Sequence, residues 1–288
     1  MPHLWATRLS GTSKFVAHTE NGVLHSPRPK SSIPVCSIYT AVKRFLSTVG
    51  HKTAAVDSTK TCSREELLHA IERYAAGFQS LGVKAGDHVC VHLRNSIDGF
   101  VTVFALIFAG ATVILCDTSV TDTELLAQMT SADTEYVVTD PQNVDRMRTV
   151  CDEMKVNVKK RFMLGEAPEF ISLASFDSLD EKEFREVNVA DTRNTVAAIC
   201  YTSGATGTAK AIEISHYSFV ASLIQNRSVA LSDETDVFLA WSPIMHLSGF
   251  LFTMQAICIG STSIIVSPAL TVKEFVDVCN KYTVRTPH

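Results

Sequence analysis

The stretch "CYTSGATGTAK", Cys200 to Lys210, gathers hydroxyls, glycines and a single cation directly after the apolar run "TVAAICYT". Gly204 and Gly207 allow a tight backbone turn that presents N–H groups with no side chain in the way. Thr202, Ser203 and Thr206 add hydroxyl donors, and Lys210 adds a mobile point charge. A strand, a glycine-rich loop and a cation in that order suit a phosphate. The same composition also makes ordinary solvent-exposed turns, so composition alone leaves both readings open. Two standard nucleotide loops are excluded by spacing. The triphosphatase loop needs its lysine directly after a glycine and a hydroxyl next, whereas "GATGTAKA" runs G-x-x-G-x-x-K and continues with Ala211. The G-x-G-x-x-G fingerprint is not met either.

A second candidate is His246 in "WSPIMHLSGF". By residue type alone, a histidine flanked by apolar residues reads as a satisfied core residue, and Trp241 reads as core as well.

These residues need elements to hold them. The patterning predicts helices over 37–50, 62–82, 96–110, 122–132 and 143–154, alternating with strands over 88–93, 112–117, 135–140 and 161–165. Ser63 and Glu66 have capping-box spacing at the start of the second helix, and Gly82 stops it. A second run places strands over 195–202, 236–241 and 261–266 and helices over 215–231, 247–260 and 271–282. The end, "TVRTPH", reads as another strand beginning. Strands alternating with helices make an α/β fold with a mainly parallel sheet covered on both faces. Residues 1–35 read as an irregular, Pro-rich arm. Residues 166–194 are charged and weakly periodic, and read as a surface connection between halves 36–165 and 195–288.

Composition excludes several classes. The 288 residues are 46% hydrophobic with net charge -4, so the chain lacks the basic face of a nucleic-acid binder. Eight cysteines occur with no CxxC pair, mostly in apolar runs, which speaks against a zinc site or disulfide scaffold and for a reducing compartment. The uncharged run Gly99–Cys116 approaches the length of a membrane span. Ala109-Gly110 interrupts it, however, and a buried helix, a turn and a buried strand account for it better. The first 19 residues lack acids but hold too few arginines for a transit peptide.

The motif "YTSGATGTAKAIEISH" resembles the phosphate loop of the adenylate-forming superfamily, which includes acyl-CoA synthetases, coumarate-CoA ligases, beetle luciferases and peptide-synthetase adenylation domains. "GVKAGDHVCVHLRNS", "IFAGATVILCDTSVTDTELLAQM" and "EYVVTD" resemble its N-terminal blocks in order, and "WSPIMHLSGF" resembles its P-x-x-H-x-x-G-[FL] element. The flavour is that of the luciferase and coumarate-ligase branch. The resemblance implies two mainly parallel sheets flanked by helices, as in that family's large N-terminal domain. It also implies a two-step reaction: a carboxylic acid and ATP give acyl-AMP and pyrophosphate, then the CoA thiol displaces AMP. ATP, Mg2+ and CoA are the implied cofactors, and a small-molecule carboxylic acid the implied partner. The resemblance assigns Thr202, Ser203, Gly204, Ala205, Thr206, Gly207 and Lys210 to the phosphate cradle, with Lys210 and His246 catalytic. His246, Leu247, Ser248, Gly249 and Phe250 would line the acyl pocket. Ala205, Ala209 and Ala211 depart from the family's usual Ser or Thr, Pro and Gly.

The family's later glutamate motif, ribose-binding aspartate and small C-terminal lid domain with its lysine have no counterpart in these residues. Residues 36–288 are therefore expected to be an incomplete AMP-binding domain: either the N-terminal part of an acyl-CoA ligase, or a truncated non-catalytic protein that binds nucleotide or a partner. By itself the chain is expected not to form acyl-CoA. The expected location is cytoplasmic or peroxisomal rather than mitochondrial.

Overall fold

A computed structural model of the chain describes residues 18–25, 32–202, 209–229 and 234–284. Strands β1 (His18–Glu20) and β2 (Val23–His25) form a hairpin turned by Asn21 and Gly22, both at positive φ (51° and 77°). Residues 18–25 therefore depart from the irregular arm expected over 1–35. The Asn-Gly pair is the hairpin signal, because a two-residue turn of this hand needs positive φ at both positions.

Helix α1 (Ile38–Thr48) leads to β3 (Thr53–Val56) and β4 (Thr61–Ser63), a hairpin absent from the sequence reading. Then follow α2 (Arg64–Ser80), β5 (His88–His92), α3 (Ile97–Phe108), β6 (Thr112–Leu115), α4 (Asp122–Ser131), β7 (Tyr136–Thr139), α5 (Val144–Glu153) and β8 (Arg161–Met163). The capping box at α2 forms as expected: the Glu66 N–H donates to Ser63 Oγ at 3.2 Å, and the Ser63 N–H donates to Glu66 Oε2 at 2.8 Å. Gly82 adopts φ 91° just beyond that helix.

The charged segment that follows is more than a surface connection. It supplies β9 (Ile171–Ser172) to the edge of a sheet, and the buried Phe176 ring packs edge-on against Tyr74 and Phe78 of α2. Gly77 makes room for that ring, since a Cβ there would lie 2.5 Å from Phe176. The chain continues with β10 (Val196–Thr202), β11 (Lys210–Ser215), α6 (His216–Val229), β12 (Val237–Ala240), α7 (Leu247–Ile259), β13 (Thr262–Ile265) and α8 (Val272–Tyr282). Strand β11 is a further element, over residues that the sequence reading left unassigned between the loop ending at Lys210 and the helix from Ser215. The strand expected from Thr283 does not begin there: Thr283 is the left-handed cap of α8 at φ 52°, and residues 285–288 lie outside the described residues.

Two larger sheets result, with orders β11-β10-β6-β5-β7-β8-β9 and β12-β13-β3-β4, and only their β10–β11 and β3–β4 pairings are antiparallel. Strands cross between the two stretches of chain: β13 pairs with β3, and β10 pairs with β6. Along β5 and β6, Val89, Val91, Val113 and Leu115 join one core shared with helices α1, α2, α3, α6 and α7, while Cys90 and Ile114 join another beneath α4 and α5. A strand buried on both faces needs apolar residues at every position, which is why these runs do not alternate. Helix α3 is buried at every residue but Asp98, which explains the uncharged run Gly99–Cys116. Among the described residues no helix is long and apolar enough to cross a membrane.

Candidate functional site

Strands β10 and β11 form an antiparallel hairpin in which Thr202 stands directly opposite Lys210. Directly paired residues project from the same face of a sheet with Cβ atoms about 5 Å apart. The hydroxyl and the cation thus flank the two ends of the glycine-rich segment. Ser203, Gly204, Ala205, Thr206 and Gly207 lie outside the described residues. Lys210 is exposed and makes no ion pair among the described residues. Below the hairpin mouth, the Tyr201 hydroxyl donates to the carbonyl of Gln128 at 2.7 Å and meets Ser131 Oγ at 2.9 Å, fixing the end of β10 to α4. Sequence reasoning missed this anchor, because its partners lie far along the chain.

His246 is exposed, not the core histidine that its residue type suggests, and Trp241 is likewise 53% exposed rather than core. His246 caps α7. Its Nδ1 accepts the Ser248 backbone N–H at 3.3 Å and lies 2.8 Å from Ser248 Oγ, which in turn lies 2.7 Å from Ser242 Oγ. In the neutral ring, an Nδ1 that accepts a backbone N–H leaves the proton on Nε2. That leaves one directed donor at the N-terminus of a helix, where the macrodipole also favours an anion.

The turn before the helix is equally determined. The His246 N–H donates to the Pro243 carbonyl at 2.9 Å. Gly249 sits so close to this turn that a Cβ would lie 1.9 Å from Pro243 O and 2.7 Å from Ser242 O. Only glycine fits, which accounts physically for the histidine-x-x-glycine spacing. Of the other residues expected in an acyl pocket, Leu247 is half-buried and packs against the core. Phe250 is fully buried, with its ring stacked on Phe104 at 5.3 Å and tilted against Phe219 at 5.1 Å, so in this structure it fills the core instead.

Asn95, at the end of β5, reaches across from the larger sheet. Its Nδ2 donates to the carbonyls of Ser242 (3.0 Å) and Val266 (2.9 Å), and its Oδ1 accepts the Ile244 N–H at 2.8 Å. A cleft of about 280 Å³ opens beside it, lined by Thr118, Gln142, Met245 and Ser267 among others. Among the described residues no hydrogen bond joins the hairpin mouth to the His246 turn, and no group of acids, histidines and cysteines forms a metal site.

A hairpin mouth flanked by a hydroxyl and an exposed cation, and a separate turn that carries a capping histidine, can be compared with known proteins. The 4-coumarate–CoA ligase 1 of Petroselinum crispum is 25% identical over 284 residues, covering 93% of this chain and 50% of the relative. The 4-coumarate–CoA ligase-like 6 of Arabidopsis thaliana is 27% identical over 286 residues, covering 94% and 49%. A crystal structure of a long-chain-fatty-acid–CoA ligase from Archaeoglobus fulgidus superposes with a TM-score of 0.80 at 23% identity, covering 89% of this chain and 52% of that one, which shows a shared fold. The chain thus spans about half the length of the curated relatives it matches. The family model described as AMP-binding enzyme matches residues 42–287, a span that takes in both sheets, the hairpin mouth and the His246 turn; the chain belongs to that family.

Proposed function

We propose that these residues supply the phosphate-binding part of an activity that joins a small-molecule carboxylic acid to ATP and then passes the acyl group to the thiol of CoA. In the first step a carboxylate oxygen bonds to the α-phosphorus and the bond to the pyrophosphate oxygen breaks, giving acyl-AMP and pyrophosphate. In the second, the thiol sulfur bonds to the acyl carbon, AMP departs and the thiol proton goes to solvent. The observation that supports this reading best is the pairing of Thr202 with Lys210 at the two ends of the glycine-rich segment. A leaving pyrophosphate gains negative charge, and a cation and a hydroxyl placed beside it lower its energy more than that of bound ATP. His246 would donate from Nε2 to an oxygen of the carboxylate or adenylate. The donor set fits a polyphosphate. Among the described residues no group of three or more His, Cys, Asp or Glu side chains stands ready for a metal, so Mg2+ would be held chiefly by the ATP phosphates, where it would neutralise their charge. A reducing compartment, cytoplasmic or peroxisomal, agrees with eight free cysteines, five of them buried.

Two measurements test the reading. Lys210→Ala should weaken ATP binding roughly 10- to 100-fold, the worth of one charge-assisted hydrogen bond. ATP–pyrophosphate exchange with a panel of aromatic and fatty acids then separates turnover from nucleotide binding alone. Equal ATP affinity in both proteins would remove the hairpin mouth from the site. Binding without exchange would reduce the proposal to a nucleotide-binding protein.

A further inference from the structure

We infer that Asn95 is the positioning residue for His246, holding the turn that aims its ring and coupling that turn to the larger sheet. The inference rests on reading His246 as a site residue. Among the described residues, the stretch from Leu93 to Ile97 carries two polar links between the elements of the two sheets. In the first, the Ile97 N–H donates to Asp57 Oδ2 at 2.8 Å, joining the start of α3 to the end of β3. In the second, the Asn95 amide takes three backbone groups at once: the Ser242 carbonyl, the Ile244 N–H and the Val266 carbonyl. Both ends of the amide are matched, which assigns its oxygen and nitrogen without ambiguity. The loop is itself pinned, since Asp140 Oδ2 accepts the Arg94 backbone N–H at 2.9 Å.

The second link controls the ring because the residues it grips surround it. Ser242 supplies the hydroxyl that meets Ser248 Oγ, and Ser248 orders Nδ1 of His246. Pro243 accepts the His246 N–H, and the Gly249 backbone packs against Pro243 with no slack. Ile244 lies one residue beyond Pro243 in the same turn. Moving Ser242 and Ile244 therefore moves the acceptor, the hydroxyl chain and the helix cap together. No other side chain among the described residues is bonded to both Ser242 O and Ile244 N.

Asparagine is needed for this role. Aspartate would place a carboxylate against two carbonyls, and alanine would leave three polar backbone groups without partners. The Asp57 link supplies the control: Asp57→Ala also cuts a bond between sheets but touches no group around His246. The test reads the ring directly, by long-range 15N–1H correlation of the histidine side chains in the full chain. The His246 signal is assigned by its disappearance in His246→Gln. In the wild type it should show a protonated Nε2 and a bare Nδ1. Asn95→Asp should give a mixture of tautomers and about tenfold weaker ATP binding, the effect of one lost hydrogen bond. Asn95→Ala gives the same reading if the aspartate variant does not fold. Asp57→Ala should lower thermal stability comparably yet leave the ring signal unchanged. If the Asn95 variants leave the tautomer unchanged, or if Asp57→Ala shifts it equally, the assignment is overturned. The ring readout needs no ATP, so a wild type that fails to bind ATP would refute the proposed function and leave this test standing.

Discussion

Acidifying the solution should unfold this protein partly through one residue, His216. The residue is 3% exposed at the start of α6, and its Nδ1 accepts the Ile38 N–H of α1 at 3.2 Å. Burial pulls its pKa from the ordinary 6.5 down to about 4. The folded state therefore keeps the ring neutral, while the unfolded chain takes up a proton near pH 6.5. The stability this preference supplies is complete above pH 6.5 and is lost as the pH falls to about 4, below which both states carry the proton. At 1.36 kcal/mol for each tenfold difference in proton affinity, the loss comes to about 3 kcal/mol, a large share of a typical folding free energy. The assay is urea unfolding followed by circular dichroism at several pH values between 7.5 and 4, on wild type and on His216→Gln. Glutamine keeps an acceptor for Ile38 but cannot titrate. Other groups, including buried His92, whose pKa is also lowered by burial, cancel in the difference between the two proteins. That difference should fall by about 3 kcal/mol across this window. A difference that stays constant with pH would show that the ring does not bury its neutral form, and would refute the reasoning.

Other substitutions follow from close approaches. Gly249→Ala should destabilise by about 3 kcal/mol or more and weaken ATP binding, because a Cβ 1.9 Å from the Pro243 carbonyl forces the α7 cap to move; thermal melting and ATP titration check it. Gly77→Ala gains about 1 kcal/mol of helix propensity but pushes the Phe176 ring out of its slot at a cost of roughly 1–3 kcal/mol, so the net effect on melting should be a loss. The thiols of Cys151, Cys200 and Cys258 are pushed up to about 12 by burial, so a disulfide reagent at pH 8 should leave them unlabelled until urea is added. Fast labelling in the native protein would mean that these cores open readily.

Helices and central strands were legible because their signals are local. The capping box at Ser63 and Glu66 joins residues three apart, and the doubly buried strands announce themselves as apolar runs. The glycine-rich segment with its cation and the histidine-x-x-glycine spacing were legible for the same reason, as was the α/β class that follows from alternation. Strand β11 was not: four of its first residues are exposed, so no buried face marks it, and it exists as a strand only because β10 lies beside it. The hydroxyl and the cation face each other through that pairing alone. His246 shows the same division. Its residue type suggested core, but the backbone of Ser242–Pro243 meets Gly249 and leaves the ring at the surface as a helix cap. Asn95 carries no local signal at all, since the groups its amide holds lie 147, 149 and 171 residues away. Short-range chemistry thus fixed which residues could act. Contacts between distant strand ends decided which of them stand together, because a hydrogen bond across two sheets depends on where both backbones end and leaves no periodicity in either segment.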